Sequence, residues 1–213
     1  MAGKPILYSY FRSSCSWRVR VALAIKGIDY EYKAVNLLKS EQLEDKYRAL
    51  NPTGQVPAME IDGMVLTQSN AIMEYLDETR EGPPLLPKDP KKRFLARQLA
   101  QIICCGIQPL QNLSVLRYLG DEKKTEWAQK VISEGFQTFE RLLVQSSGKY
   151  CVGDELSMAD ICLVPQVYNA NRFKVNMLEY PTISRINAAL LELDAFQAAH
   201  PSKQPDCPED LRQ

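Results

Sequence analysis

This chain of 213 residues has one histidine, no surplus of charge and no C-x-x-C motif. Each shortage removes a class of function. His200 is the one histidine, so a multi-histidine metal centre, Ser-His-Asp catalysis and Cys-His catalysis all lack the residues they need. The 26 basic side chains are matched by 26 acidic ones, whereas a nucleic-acid binder draws its affinity from an excess of Lys and Arg. The six cysteines, Cys15, Cys104, Cys105, Cys151, Cys162 and Cys207, show no C-x-x-C spacing and nothing like paired zinc ligands. No apolar run reaches the roughly 18 residues of a membrane span. The opening MAGKPILYSYFRSS lacks the apolar core of a secretory signal and the Arg-rich, acid-poor character of a transit peptide. Ala2 stands where N-myristoylation needs glycine. A reduced, cytoplasmic chain is expected, with neither nucleic acid nor membrane as partner and no metal.

What is present is an ordinary globular composition, 45% hydrophobic and 24% charged, enough for one large or two small domains. Residues 4–10 (KPILYSY) read as a strand, and Ser14–Ile25 as a helix closed by Gly27 at C′. Residues 30–37 read as a second strand and 41–50 as a polar helical stretch. Residues 56–61 and 64–67 flank Asp62-Gly63 as a β-hairpin, after which Ser69 caps a helix to Arg80. The order βαβ then ββα implies a small mixed sheet with helices packed on it. The segment EGPPLLPKDP at 81–90 breaks any helix and reads as a linker. Beyond it residues 93–119, 125–145, 157–172 and 183–194 read as helices, and the Pro-rich tail from 201 reads as surface. The expected domains are 1–82, a linker at 83–90, and an all-helical 91–213. Ser157 and Asp160 form an S-x-x-D cap, which is folding information.

Chemistry concentrates where the first helix begins. In YSYFRSSCSWR, hydroxyls and a thiol meet unpaired N–H groups and the positive end of the helix dipole, a setting that favours an anion. Lowering a thiol pKa by about two units from 8.5 gives roughly twentyfold more thiolate at neutral pH. The bland alternative is a serine cap beside a half-buried cysteine. Val56-Pro57 offers a backbone edge to an extended peptide, or is an edge-strand proline that blocks aggregation; the isomer is open. Gln68 and Ser69 offer an amide and helix N–H groups to a carboxylate, though every helix needs a cap. In a βαββα packing these three sites share one sheet edge. An extended, carboxylate-bearing thiol peptide uses all three.

With these motifs the chain resembles a glutathione transferase. SSCSWRVR and GIQPLQN at 106–112 are similar to the zeta class, whose enzymes act as maleylacetoacetate isomerases; VPAMEIDG, YCVGDELSMAD, LVPQV and RFKV extend the likeness to the tail. The resemblance implies a thioredoxin-like α/β first domain with a four-stranded mixed sheet, an all-α second domain, and glutathione as cofactor. It implies Ser13, Ser14 and Cys15 as catalytic residues at the sulfur, with Ser16, Trp17 and Arg18 beside them. It gives Gln42 to the glycine end, Val56 to the cysteinyl backbone, and Gln68 and Ser69 to the γ-glutamyl group. Gln108, Asn112, Leu113 and Ser114 would complete glutathione binding, and Arg12 and Arg172 would bind substrate carboxylates. The implied activity converts maleylacetoacetate to fumarylacetoacetate in tyrosine and phenylalanine catabolism, with transfer to small α-haloacids beside it, in a homodimer.

Two other readings stand against this one. A thiol–disulfide oxidoreductase would use Cys15, but Arg18 occupies the position of its resolving cysteine, leaving a monothiol variant. A non-catalytic interaction module on the same fold should have lost the pocket residues, and all three binding elements are present. Of the remaining thiols, Cys104 and Cys105 read as core or interface, Cys151 and Cys162 as packed, and Cys207 as the readily oxidised one. Tyr8, inside the first strand, reads as structural.

Overall fold

Alternating apolar residues in the first segment and the two-residue turn at Asp62-Gly63 set up a single sheet. The computed structural model describes residues 3–212; Ala2 lies outside them. The chain runs β1 (Ile6–Ser9), α1 (Ser14–Ile25), β2 (Glu31–Ala34), a 3-10 turn at Glu41–Leu43, α2 (Asp45–Leu50), β3 (Ala58–Ile61), β4 (Met64–Thr67) and α3 (Ser69–Thr79). The strand order is β2-β1-β3-β4, with β1 and β2 parallel and β3 antiparallel to both its neighbours. A parallel pair needs a crossover, which α1 supplies. The hairpin closes with Asp62 and Gly63 at φ of 53° and 74°, the handedness that a tight two-residue hairpin turn demands.

Helix α1 stops at Gly27, φ 63°, where Ile28 N–H reaches Leu23 O at 2.9 Å and Gly27 N–H reaches Ala24 O at 3.1 Å. Glycine enters this left-handed conformation without the Cβ penalty, so the expected C′ position is met. Every residue from Ser16 to Leu23 is buried, Arg18 and Arg20 included. A helix buried on all sides has no polar face on which to place charge, so both guanidinium groups must find partners inside. At its end, Lys26 Nζ pairs with Asp77 of α3 at 2.8 Å.

The chain divides into two units at Pro83/Pro84, and from Asp194 it returns to the first unit. This corrects the expected all-helical domain over 91–213. The returning segment holds α8 (Asp194–Ala198), which packs on α1, and 3-10 turns at Pro201–Lys203 and Glu209–Leu211. Nor is the tail a surface strand of chain: Pro201, Ser202, Gln204 and Cys207 are buried. Gln204 Nε2 donates to Ala198 O and His200 O at 3.0 and 2.9 Å, so both hydrogens of its buried amide nitrogen find acceptors within the chain. Cys207, 4% exposed, joins Tyr10, Phe11, Val35, Tyr47, Val56 and Ala58 in one apolar cluster. It is therefore not the readily reached thiol; Cys105 is the exposed one.

The second unit contains α4 (Pro90–Gln101), a π-helical segment Ile102–Ile107, α5 (Leu113–Ser146), α6 (Met158–Arg172) and α7 (Pro181–Leu191). The one helix expected over 93–119 is two, because Gln108 N–H bonds back to Ile103 O and Pro109 has no N–H to continue the ladder. Helix α5 breaks at Gly120 (φ 76°, ψ 173°) and runs on through the expected 125–145. The expected linker carries buried anchors instead: Leu85 and Leu86 are 0% and 5% exposed, and Leu85 O accepts from Met158 N–H at 2.8 Å. The capping box forms, with Ser157 N–H and Oγ donating to Asp160 Oδ2 at 2.8 and 2.9 Å and Cys151 N–H donating to Oδ1 at 2.8 Å. Cys151 and Cys162 are fully buried, as expected, and Cys162 Sγ lies 3.6 Å from Cys104 Sγ.

Candidate active site

Ser13 is the N-cap of α1: its Oγ accepts from Ser16 N–H at 3.2 Å and its carbonyl from Trp17 N–H at 2.9 Å. These two bonds use the third- and fourth-position amides. The first two positions, Ser14 and Cys15, lie at the opening turn, where helix N–H groups have no partner within the helix and the dipole is positive. Ser14 is 7% exposed and Cys15 is half-buried. Ser16 and Trp17 differ from what the resemblance implied. The two residues are 0% and 1% exposed, and the Trp17 ring stands edge-on to His200 at 5.2 Å, so they build the core beneath the turn.

Arg18 joins two of the expected subsites. Its Nη1 donates to Ser69 Oγ at 3.1 Å and contacts Cys15 Sγ at 3.7 Å. A buried guanidinium here places fixed positive charge between the first turn of α1 and the start of α3, both anion-seeking helix ends. Ser69 is thus the first residue of α3 rather than its cap. The cap position belongs to Gln68, which makes no side-chain cap bond and sits at φ 69°, ψ 109°. A non-glycine residue at positive φ holds strain that the surrounding fold must maintain, and such residues gather at binding sites. Here the strained turn sets Gln68 and Ser69 side by side.

The Val56-Pro57 bond is cis. The β1–β3 register begins at Tyr8 opposite Ala58, so Val56 lies beyond the ladder. Just upstream, Gln55 O accepts from Tyr47 Oη at 2.6 Å and Asn51 Nδ2 at 2.7 Å, which fixes the approach to Val56. Burial pushes the Tyr47 phenol up to about 12, so it remains a donor. Gln42, on the turn Glu41–Leu43, is buried with no partner for Oε1. An orphaned buried amide oxygen asks for a donor, and a peptide ligand brings one. The first unit therefore fits the glutathione expected from the resemblance. Tyr8 Oη donates to Glu60 at 2.6 Å, and burial, then Glu60, raises its pKa. It is a structural phenol, as expected.

Two residues near this site escaped the sequence reading. Arg20 and Asp206 both bond the main chain of Phe11, in the loop before Ser13. Two arginines in the otherwise apolar WRVRVALA were the available signal for Arg20; nothing local marked Asp206.

In the second unit, Gln108 follows the π-helical segment, and Asn112 caps α5, its Oδ1 accepting from Ser114 N–H at 3.4 Å. Leu113 begins that helix. The neighbouring Gln111, also missed, is buried and donates to Gln166 Oε1 at 3.1 Å. Arg172 ends α6 on the surface, with its guanidinium 5.1 Å from the Phe173 ring centroid. In the first unit, half-buried Arg12 stands 5.6 Å from the Phe11 ring.

Comparison with known proteins agrees with this arrangement. Residues 4–78 match the glutathione S-transferase N-terminal domain and residues 110–198 the glutathione S-transferase C-terminal domain. The chain is 61% identical to the maleylacetoacetate isomerase of Mus musculus over 213 residues, 99% of each. Among solved structures, a bacterial zeta-class maleylpyruvate isomerase in holo form is 44% identical with a TM-score of 0.93, over 95% of this chain and 100% of that one. The maleylacetoacetate isomerase of Methylobacterium extorquens, with malonate and glutathione bound, is 39% identical with a TM-score of 0.92, over 95% and 99%. The first-turn serines, the buried arginine at Ser69 and these matches lead to one placement: the chain belongs to the glutathione S-transferase family, in its zeta class.

Proposed function

We propose that the protein is a glutathione-dependent cis–trans isomerase that converts maleylacetoacetate to fumarylacetoacetate, a step of tyrosine and phenylalanine catabolism. The observation that carries this reading is Arg18, whose Nη1 stands between Ser69 Oγ at 3.1 Å and Cys15 Sγ at 3.7 Å. It ties a thiol-binding turn to a carboxylate-binding turn. When bound, glutathione supplies the thiolate that adds to the cis double bond, allows rotation and leaves again to give the trans isomer. The chain's residues ionise and aim it. The opening turn of α1 holds negative charge on sulfur through its amides and the Ser14 hydroxyl. Gln68 and Ser69 hold the γ-glutamyl end, Val56 pairs with the peptide backbone, and Gln42 accepts from the far amide. Positioning of this kind accounts for much of catalysis when the nucleophile comes with the ligand.

The same proposal assigns Gln108, Asn112, Leu113 and Ser114 to glutathione, and Arg12 and Arg172 to the carboxylates of an anionic substrate. It extends to small α-haloacids, on which a thiolate displaces halide. It places the protein in the cytoplasm. A homodimer is supported by the open face of α4, where Phe94 is 63% exposed beside Pro90, Arg97 and Ile102. A disulfide oxidoreductase is disfavoured, since the position for its resolving thiol is Arg18 and that side chain already contacts Cys15.

One experiment tests the whole reading. The protein should be retained on immobilised glutathione and turn over maleylacetoacetate, with little disulfide reduction in a parallel assay. Disulfide reduction without isomerase turnover would transfer the function to Cys15. Retention with neither activity would point to a binding module.

A further inference from the structure

We propose that Asp206 and Arg20 are positioning residues for the reaction, clamping the main chain of the loop that presents Ser13, Ser14 and Cys15. This inference rests on the reading that the opening turn of α1 holds the glutathione sulfur.

Residues Tyr10 and Phe11 lie between the end of β1 and the N-cap of α1, outside the β1 ladder. The Phe11 N–H and the Tyr10 and Phe11 carbonyls meet side chains. Asp206 Oδ2 accepts from Phe11 N–H at 2.9 Å, while its Oδ1 accepts from Tyr32 Oη at 2.6 Å. Arg20 Nη2 donates to Phe11 O at 2.9 Å and to Ala199 O at 3.1 Å, and its Nη1 to Ser9 Oγ at 3.1 Å and Tyr10 O at 3.4 Å. The N–H and the C=O of Phe11 are thus both held by charged side chains, one of them 195 residues away. Two residues later Ser13 closes the turn, its N–H on Tyr10 O at 2.9 Å. Burial draws the Arg20 pKa down to about 10, so it stays charged at neutral pH and faces the Asp206 carboxylate as an opposite charge.

These contacts have a catalytic consequence. Thiolate stabilisation by a helix end falls off within the first turn, and misplacement by about 1 Å can cost on the order of a hundredfold in rate. The clamp sets where that turn begins without touching the γ-glutamyl subsite at Ser69. Loosening it should therefore affect the thiol more than the affinity for the peptide.

The test uses the full-length protein with Asp206→Ala, Asp206→Asn, Arg20→Lys and Tyr32→Phe. Three quantities are read: the pKa of bound glutathione from thiolate absorbance against pH, isomerase kcat and KM, and affinity for S-methylglutathione, which lacks the thiol. Asp206→Ala should raise the thiol pKa by about one unit, with kcat falling about tenfold, the fold-change to which one unit corresponds. S-methylglutathione affinity should stay within about twofold. Asp206→Asn should fall between, since its amide oxygen still accepts from one donor, and Tyr32→Phe, which leaves Phe11 held, should change least. Should Arg20→Lys fail to fold, the Asp206 pair still decides. Wild-type thiol pKa and kcat in folded Asp206→Ala would overturn the proposal, as would a parallel loss of S-methylglutathione affinity, the mark of general damage. Failure of the underlying reading looks different: the wild-type protein itself would bind neither glutathione nor S-methylglutathione.

Discussion

Ser14 and Cys15 are neighbours in the opening turn of α1 with different surroundings. Ser14 is 7% exposed at the first helical position, whereas Cys15 is half-buried with its sulfur against Arg18. A hydroxyl donor aimed at an anion carries more weight than a thiol beside it. Ser14→Ala should lower kcat by on the order of a hundredfold, the scale of removing one anion-stabilising donor. Cys15→Ala should cost less than about threefold. Steady-state kinetics on both variants decide it, and a reversed ranking would give cysteine the direct role. A second expectation concerns His200, whose pKa is lowered by burial and then by the Arg20 and Lys203 charges. The unfolded chain takes up a proton near pH 6.5 while the folded chain resists it. Stability is therefore full above that pH and is lost as pH falls from 6.5 towards the folded value. His200→Asn, which keeps a cap for Ser202, should flatten the fall in melting temperature between about pH 7.5 and pH 5.5. Equal slopes in both proteins would remove His200 from the acid response.

Among the elements, what could be read from sequence was local. Strands β1 to β4, the turn at Asp62-Gly63, α1 with its Gly27 stop and the Ser157–Asp160 cap all follow from patterns within a few residues. Strands β1 and β2 are shorter than the apolar runs suggest, because pairing rather than composition ends a strand. The break at 108–112 escaped, since helical periodicity runs through the π-helical segment and a wider turn leaves little trace in it. Ser69 was legible as a polar helix start, but its bond to Arg18 depends on two helices meeting and has no sequence signature. The cap of α6 makes a prediction at this scale. Asp160 accepts three hydrogen bonds in the interior. Asp160→Ala should cost at least about 3 kcal/mol, since each abandoned buried donor costs roughly 1–3 kcal/mol. Chemical denaturation of the two proteins measures this, and a loss under about 1 kcal/mol would show that water replaces the carboxylate.

The whole molecule is built from one continuous unit and one discontinuous one. Composition misplaced the tail because Pro-rich, polar segments usually lie on the surface. Here they are drawn in by Cys207 and by side chains reaching backbone groups far away in sequence. No local pattern encodes a bond between residues 11 and 206. Deleting residues 201–213 should abolish retention on immobilised glutathione while most of the helical circular-dichroism signal remains. Full retention by the truncated protein would show the first unit to be complete without its tail.

The order in which the chain emerges during synthesis gives that discontinuity a further meaning. The unit from Pro84 to Leu193 is contiguous and has all its residues before translation ends. The unit that begins first must wait for the segment from Asp194 onward to leave the ribosome. Domains fold as they become complete during synthesis, so the half encoded second is the half able to fold first. A ribosome that stops between Leu193 and Asp206 would release a finished helical unit attached to a first unit that lacks the Asp206 contact to Phe11.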